Sequence, residues 1–136
     1  MKLKIVTPER VLFEDQCDGL TAMTESGEVT ILRNHVPMVA TLRPGEMTVH
    51  KNGESYTLVA STGFLDMRPG NELVILADTA ERVEELDMTK IEEAKVRAQK
   101  ALEEHKHADD VSFTAAAAVL ERELARYRVV TKHRSR

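Results

Sequence analysis

Glycine and proline are confined to one part of the chain. All six glycines and all four prolines fall between Pro8 and Gly70, and residues 71–136 contain neither. These two residues end strands and form tight turns, whereas both are unfavourable inside helices. The distribution therefore predicts a turn-rich β region followed by a helical region.

Short apolar segments separated by turn residues fill the first region. Asn52 and Gly53 form the strongest hairpin signal, because both central positions of a type I′ turn need a positive φ angle. A second turn is predicted at residues 69–71, and the segments recur about every ten residues. This spacing is typical of an antiparallel β-sandwich or barrel.

The second region has helical periodicity. Thr89, or alternatively Asp87, is predicted to cap a first helix, and a polar turn at residues 107–110 leads into a second. Two amphipathic helices joined by a short turn pack as an antiparallel hairpin. Their apolar faces are rich in alanine, so we expect a weak seam and a hairpin that is able to open. The predicted faces comprise Ile91, Ala94, Ala98, Ala101 and Leu102, then Phe113, Ala116, Ala117, Leu120, Leu124 and Tyr127.

Charge is distributed unequally between the two regions. Residues 1–86 carry 8 basic and 14 acidic side chains, whereas residues 87–136 carry 11 basic and 9 acidic ones. A chain of net charge -4 with 4% aromatic residues and no tryptophan is not expected to bind nucleic acid. The basic end of the second helix is interpreted as a solvated helix end or as a surface for an acidic partner.

No catalytic or metal-binding motif occurs in the sequence. Phosphate-binding loops, the nucleophile elbow and paired zinc-ligand spacings are absent. The single cysteine, Cys17, excludes a disulfide framework, and His35 is interpreted as a turn residue. With no apolar run near the roughly 20 residues of a membrane span and no signal peptide, we expect a soluble intracellular protein without direct membrane insertion, metal or cofactor. From its residues alone, the chain is a β-sandwich with a helical hairpin that binds other proteins.

Five short motifs follow one another along the chain: VTPE from Val6, SGE from Ser26, HVPM from His35, TGFL from Thr62 and LADTAE from Leu76. In order and spacing they resemble the epsilon subunit of F-type ATP synthase along nearly the whole chain. The resemblance implies a β-sandwich of about ten antiparallel strands, residues 1–86, that binds the rotor. It also implies a regulatory helical hairpin, residues 87–136.

The same resemblance implies a function. Epsilon subunits are non-catalytic parts of the central stalk, where the sandwich contacts the gamma subunit and the c-subunit ring and helps couple proton translocation to ATP synthesis. Their C-terminal helices extend toward the catalytic beta and alpha subunits and inhibit ATP hydrolysis. The protein is then expected at the cytoplasmic face of the cell membrane, as a peripheral part of the ATP synthase complex.

Contact residues are carried over only where a motif matches. The resemblance implies that Glu28, Val29, Ile31, Arg33 and His35 face the c ring, that Thr7, Pro8, Met38, Val39 and Ala40 face gamma, and that Arg122, Arg126 and Arg128 form an inhibitory basic helix. Met38 and Val39 are also compatible with the sandwich core, because core and outer positions alternate along a strand. Without the resemblance, Glu28 is interpreted as a turn carboxylate.

A nucleotide-sensing module is the alternative function. Some bacterial epsilon subunits bind ATP between the sandwich and the hairpin, and the resemblance implies Glu81, Asp87, Lys90, Arg122 and Arg126 as the corresponding residues. Lys90 replaces an arginine of the family pattern and Ile91 replaces an alanine, and lysine lacks the planar fork that makes paired hydrogen bonds. We therefore interpret Asp87 as a helix cap and expect ATP to be at most a weak regulatory ligand.

Overall fold

The chain divides into two compact units. The computed structural model describes residues 1–104 and 110–134, and the units are Met1–Arg82 and Val83–Arg136. The first unit ends with its last strand, whereas the boundary expected from the sequence lies after residue 86.

Ten strands make up the first unit and belong to one hydrogen-bonded sheet. They are β1 (Lys2–Val6), β2 (Val11–Gln16), β3 (Gly19–Thr24), β4 (Gly27–Leu32), β5 (Met38–Leu42), β6 (Gly45–Lys51), β7 (Glu54–Ala60), β8 (Gly63–Arg68), β9 (Glu72–Ala77) and β10 (Ala80–Arg82). Their order is β10, β7, β6, β3, β5, β8, β9, β1, β2, with β4 paired to β3.

One apolar core lies inside this sheet. Inward-facing residues such as Leu3, Leu20 and Ile75 are fully buried and belong to a single contiguous cluster. Strands that are distant in the sheet order also contact each other through side chains. For example, Lys51 at the end of β6 pairs with Asp15 on β2. The β-sandwich predicted from the sequence is confirmed.

Both predicted turns adopt the backbone that their residues favour. Asn52 and Gly53 have φ angles of 53° and 77°, and Gly70 and Asn71 have 87° and 62°. Only glycine, asparagine and aspartate adopt this left-handed region readily. Gly63 is required for a different reason, since a Cβ atom there would overlap the carbonyl oxygen of Leu76.

The prediction of a purely antiparallel sheet is wrong at one pair of neighbouring strands. Strands β1 and β9 run parallel, with Leu3 opposite Leu73. Antiparallel neighbours are joined by short turns that the sequence reveals, whereas this pair is joined only through all the intervening strands. The pairing is a consequence of how the β8–β9 hairpin packs beside the first strand.

The second unit begins with a single 3-10 turn, Val83–Glu85, followed by α1 (Met88–Glu104) and α2 (Asp110–Arg134). The Oδ1 atom of Asp87 accepts hydrogen bonds from the backbone N–H groups of Thr89 at 2.9 Å and Lys90 at 3.3 Å. Asp87 is therefore the N-cap, and the expectation that Thr89 caps the helix is wrong. Of the predicted turn at residues 107–110, only the last residue lies within the described part of the chain.

The two helices pack as the predicted antiparallel hairpin. Near the middle of α1, Lys95 Nζ lies 4.1 Å from the ring centroid of Tyr127, which is in the second half of α2. Ile91, Ala98 and Ala116 are buried as predicted, but Phe113 is 41% exposed. Glu123, which the apolar pattern omitted, is buried instead.

Candidate partner-binding surfaces

The loop between β4 and β5, residues 33–37, forms an exposed apolar and basic surface. The side chains of Leu32 and Val36, beside and within this β4–β5 loop, are largely exposed, and Val36 is 69% exposed. Asn34 adopts a φ of 65°, and the N–H of His35 donates to the carbonyl of Leu32 at 3.1 Å. The loop is thus a folded turn that presents apolar side chains to solvent.

The five residues expected to face the c ring divide between surface and core. Glu28 and Arg33 are exposed, and His35 is half-buried, with its Nδ1 2.8 Å from the carbonyl oxygen of Val36. Ile31 is 1% exposed and lies in the core, and the partly buried side chain of Val29 packs against this core. These two side chains stabilise the sandwich from within, so we leave them out of the contact that we propose below.

The residues expected to face gamma also divide by strand alternation. Val39 points outward from β5, whereas its neighbours Met38 and Ala40 pack against the core. Thr7 is buried and its hydroxyl is 3.3 Å from the carbonyl oxygen of Arg10, while Pro8 is exposed. Pro8 and Val39 are therefore the members of this set that are most accessible to a partner.

An apolar row that the sequence analysis missed crosses four strands of the sandwich. Phe64 on β8 lies opposite Leu76 on β9, Leu76 opposite Val6 on β1, and Val6 opposite Val11 on β2. Phe64 is 54% exposed, and Leu76 and Val11 are about half exposed. Beside the row, a groove of about 300 Å³ is lined by Thr7 and Pro8 among others. β9 contains an unbroken run of apolar residues, and such runs indicate strands that are covered on both faces. This run was the sequence signal from which the apolar row could have been predicted.

A second groove, of about 560 Å³, lies between the two helices. Its walls are mostly alanine, and Arg97, Arg122 and Glu123 supply its charged groups. Glu123 is only 3% exposed, and its Oε1 accepts hydrogen bonds from Arg126 Nη1 at 2.7 Å and from Arg122 Nε at 3.4 Å. Two of the three arginines of the predicted inhibitory helix thus already pair with a carboxylate of their own helix, while Arg128 is exposed.

The residues of the nucleotide-sensing alternative are not gathered in this groove. Glu81 belongs to the first unit and the other four belong to the second. Within the second unit Arg122 lines the groove, but Asp87 and Lys90 do not. The Asp87 carboxylate acts as the cap of α1, as the sequence interpretation favoured.

In residues 1–104 and 110–134, four titratable groups have shifted pKa values, and each shift has a structural cause. A hydrogen bond from Lys51 lowers the pKa of Asp15, and the same contact raises the pKa of Lys51. Burial raises the pKa of the Cys17 thiol, and a hydrogen bond to Glu54 raises the pKa of Tyr56. None of these four side chains lines either groove.

In residues 1–104 and 110–134, no cluster of three or more histidine, cysteine, aspartate or glutamate side chains is arranged to hold a metal ion. No helix in the same residues combines the length and apolar character needed to cross a bilayer.

Comparison with known proteins gives one consistent result. Residues 1–83 match the family described as "ATP synthase, Delta/Epsilon chain, beta-sandwich domain". The chain is 38% identical over 136 residues to the ATP synthase epsilon chain of Herpetosiphon aurantiacus, covering 100% of this chain and 98% of that one. This chain belongs to the ATP synthase epsilon chain family. The resemblance stated from the sequence motifs is therefore confirmed.

A second member of the epsilon family and two solved structures are also similar to this chain. The epsilon chain of Dehalococcoides mccartyi is 39% identical over 134 residues, covering 98% of this chain and 94% of that one. A chain of the Euglena gracilis mitochondrial ATP synthase, solved with OSCP, F1 and c-ring, has a TM-score of 0.78 at 22% identity and covers 94% of this chain and 79% of its own length. A chain of the Tetrahymena thermophila central stalk and c-ring structure has a TM-score of 0.64 at 12% identity, with 95% of each chain covered. At these low identities the two structures support the fold alone.

Proposed function

We propose that the chain is a non-catalytic rotor subunit of an ATP synthase, which couples proton translocation through the c ring to ATP synthesis in the catalytic head. The observation that carries this proposal is the arrangement of exposed apolar side chains on the sandwich, at the apolar row and at the β4–β5 loop. Contiguous apolar patches on a folded surface mark sites of protein association. Family membership supports gamma as the partner of the first surface and the c ring as the partner of the second.

A pair of aromatic substitutions tests the gamma contact. Phe64→Ala removes the largest side chain of the apolar row, so affinity for gamma should fall about tenfold or more, as for a central apolar anchor. Tyr56→Ala is the matched control, because Tyr56 is a similarly exposed aromatic residue on β7, outside the row. Titration calorimetry against purified gamma measures both variants. Equal affinities for wild type and Phe64→Ala would refute the proposed gamma surface.

We propose further that the helical hairpin inhibits ATP hydrolysis through its basic helix. Helix α2 has 25 residues and is roughly 37 Å long at 1.5 Å per residue. Arg122, Arg126 and Arg128 would contact an acidic segment of the catalytic beta or alpha subunits. Because Glu123 already binds the first two, an acidic partner has to compete with it, and exposed pairs contribute only about 0–1 kcal/mol each.

The inhibition proposal is tested by removing the three arginines together. Arg122→Ala, Arg126→Ala and Arg128→Ala should weaken inhibition in the assembled complex, and added salt should weaken it in wild type, since surface charges are screened within about 8–10 Å. Lys100→Ala serves as a control for loss of an exposed charge elsewhere in the hairpin. If the triple variant inhibits hydrolysis fully at every ionic strength, inhibition does not depend on these charges.

A nucleotide-sensing role remains the second candidate. Arg97 and Arg122 in the helical groove favour an anionic ligand, whereas the Glu123 carboxylate in the same groove opposes one. Lys90 and Ile91 do not line this groove, and only the family resemblance implies them. From that resemblance we expect weak ATP binding that strengthens when Lys90→Arg and Ile91→Ala are combined. Calorimetry of both chains with ATP provides the measurement, and an unchanged affinity would count against a nucleotide site.

The proposed assembly also implies where in the cell the protein is located. A subunit bound to gamma and to the c ring would be held peripherally at the cytoplasmic face of the cell membrane. Fractionation of cells with and without the c ring tests this, because the chain should leave the membrane fraction when the ring is missing.

A further inference from the structure

One side chain connects the β4–β5 loop to a distant turn of the sandwich. Asn71, in the turn between β8 and β9, has its Oδ1 2.7 Å from the backbone nitrogen of Asn34. The carbonyl oxygen of Asn71 also accepts a hydrogen bond from the N–H of Lys2 at 3.1 Å. A single residue therefore joins the β8–β9 turn, the start of β1 and the exposed loop.

Few residue types satisfy both the backbone angle and the hydrogen bond of Asn71. Asn71 has a φ of 62°, which glycine, asparagine and aspartate tolerate. The N–H of Asn34 is only a donor, so its partner must present an oxygen. Glycine satisfies the backbone but has no side-chain oxygen, whereas asparagine and aspartate satisfy both requirements.

The position of Asn34 makes this contact relevant to the loop surface. Asn34 lies between Arg33 and His35, two of the residues that we propose to face the c ring. It has a φ of 65°. Through Asn34, the loop of residues 33–37 is hydrogen-bonded to a turn that is 37 residues away in sequence.

We propose that Asn71 is a positioning residue for c-ring binding. Its side-chain oxygen holds the Asn34 amide, and this contact fixes the orientation of Arg33 and His35 before the ring is bound. The inference rests on the proposed function, because it takes the ring as the partner of the β4–β5 loop. A preorganised loop loses less conformational entropy on binding, which is the source of the expected gain in affinity.

Three variants of the full chain separate the side-chain contact from the turn. Asn71→Gly keeps the positive φ and removes the oxygen, and Asn71→Asp keeps both. Asn52→Gly is the matched control, since Asn52 has a φ of 53° in a comparable turn and uses its backbone N–H, not its side chain, to bind Asp18.

Two measurements report the outcome. Amide hydrogen exchange of the isolated chain should show the Asn34 N–H exchanging about two- to tenfold faster in Asn71→Gly, the range expected for loss of one hydrogen bond. Affinity for a reconstituted gamma–c-ring assembly should fall by a similar factor, while affinity for gamma alone stays unchanged. Asn71→Asp should restore wild-type values in both assays, and Asn52→Gly should leave both unaltered.

The results also distinguish this inference from the proposed function. If wild type binds the ring assembly and Asn71→Gly binds equally well with a faster Asn34 amide, the positioning role is refuted and the proposed function stands. If Asn71→Gly weakens binding to gamma alone to the same extent, Asn71 acts through general stability and the inference fails. If wild type shows no affinity for the ring beyond its affinity for gamma, the proposed ring contact fails and the inference fails with it.

Discussion

The sandwich and the hairpin differ in the side chains that they bury. The sandwich core consists of large aliphatic and methionine side chains, among them Leu3, Ile31 and Met67, in one contiguous cluster. The hairpin seam is lined mainly by alanines and contains the buried carboxylate of Glu123. Each buried methylene contributes about 0.8 kcal/mol, so an alanine seam holds its helices more weakly than a leucine-rich core holds its strands. The comparison indicates a stable platform joined to an element that separates at low cost.

The sharpest test of this comparison is to separate the regions. Residues 1–86 should unfold cooperatively in urea and retain gamma binding, whereas residues 87–136 should lose most of their helicity, because isolated short helices are marginal in water. Circular dichroism during urea titration measures both fragments. A sandwich fragment without a cooperative transition would contradict the division of the chain into two units.

The next largest effect is expected inside the sandwich core. Ile75→Ala should lower the free energy of unfolding by about 2–5 kcal/mol, since Ile75 is fully buried and its removal leaves a cavity. Its neighbour Leu76 points outward, so Leu76→Ala should change stability far less. Chemical denaturation measures both, and comparable losses would mean that the alternation along β9 is not as described.

In the hairpin, the buried carboxylate provides the corresponding test. Glu123→Ala should destabilise the hairpin by about 1–3 kcal/mol, because Arg126 and Arg122 lose a charged hydrogen-bond acceptor. Glu121→Ala, an exposed neighbour on the same helix, is the control. Hydrogen exchange of the α2 amides is the measurement. Unchanged protection in Glu123→Ala would show that the seam does not depend on this residue.

A smaller effect is expected at the start of α1. Asp87→Ala should cost about 0.5–2 kcal/mol of helix stability, because the backbone N–H groups of Thr89 and Lys90 lose their acceptor. Thr89→Ala should cost less, and comparing the exchange of these amides in the two variants distinguishes the candidate caps. A greater loss with Thr89→Ala would reverse the assignment.

The smallest effect concerns the exposed pair of Asp15 and Lys51. The pKa of Asp15 is lowered from its ordinary 3.8, so its contribution is present above that pH and disappears as pH falls through the folded-state pKa. The pKa of Lys51 is raised from 10.5, so its contribution is lost as pH rises through the folded-state value. Asp15→Asn should therefore differ slightly from wild type between these limits and converge with it in acid. Urea unfolding across pH measures this, and a difference that grows in acid would exclude the pair as its cause.

Features that depend on neighbouring residues could be predicted from the sequence. Asn52 and Gly53 specify their turn because few residues adopt a positive φ, and the absence of glycine and proline after Gly70 permits two long helices. The ordered motifs were sufficient to identify the family.

The surfaces that these elements present depend on long-range packing and could not be predicted from the sequence. The parallel pairing of β1 with β9, the outward direction of Phe64 and the burial of Glu123 depend on residues that are distant in sequence. The same holds for the contact between Asn71 and Asn34. A single sequence shows local preferences directly, but contacts between remote segments form only when the whole chain packs, because their free energy arises from burial and from partners that packing supplies.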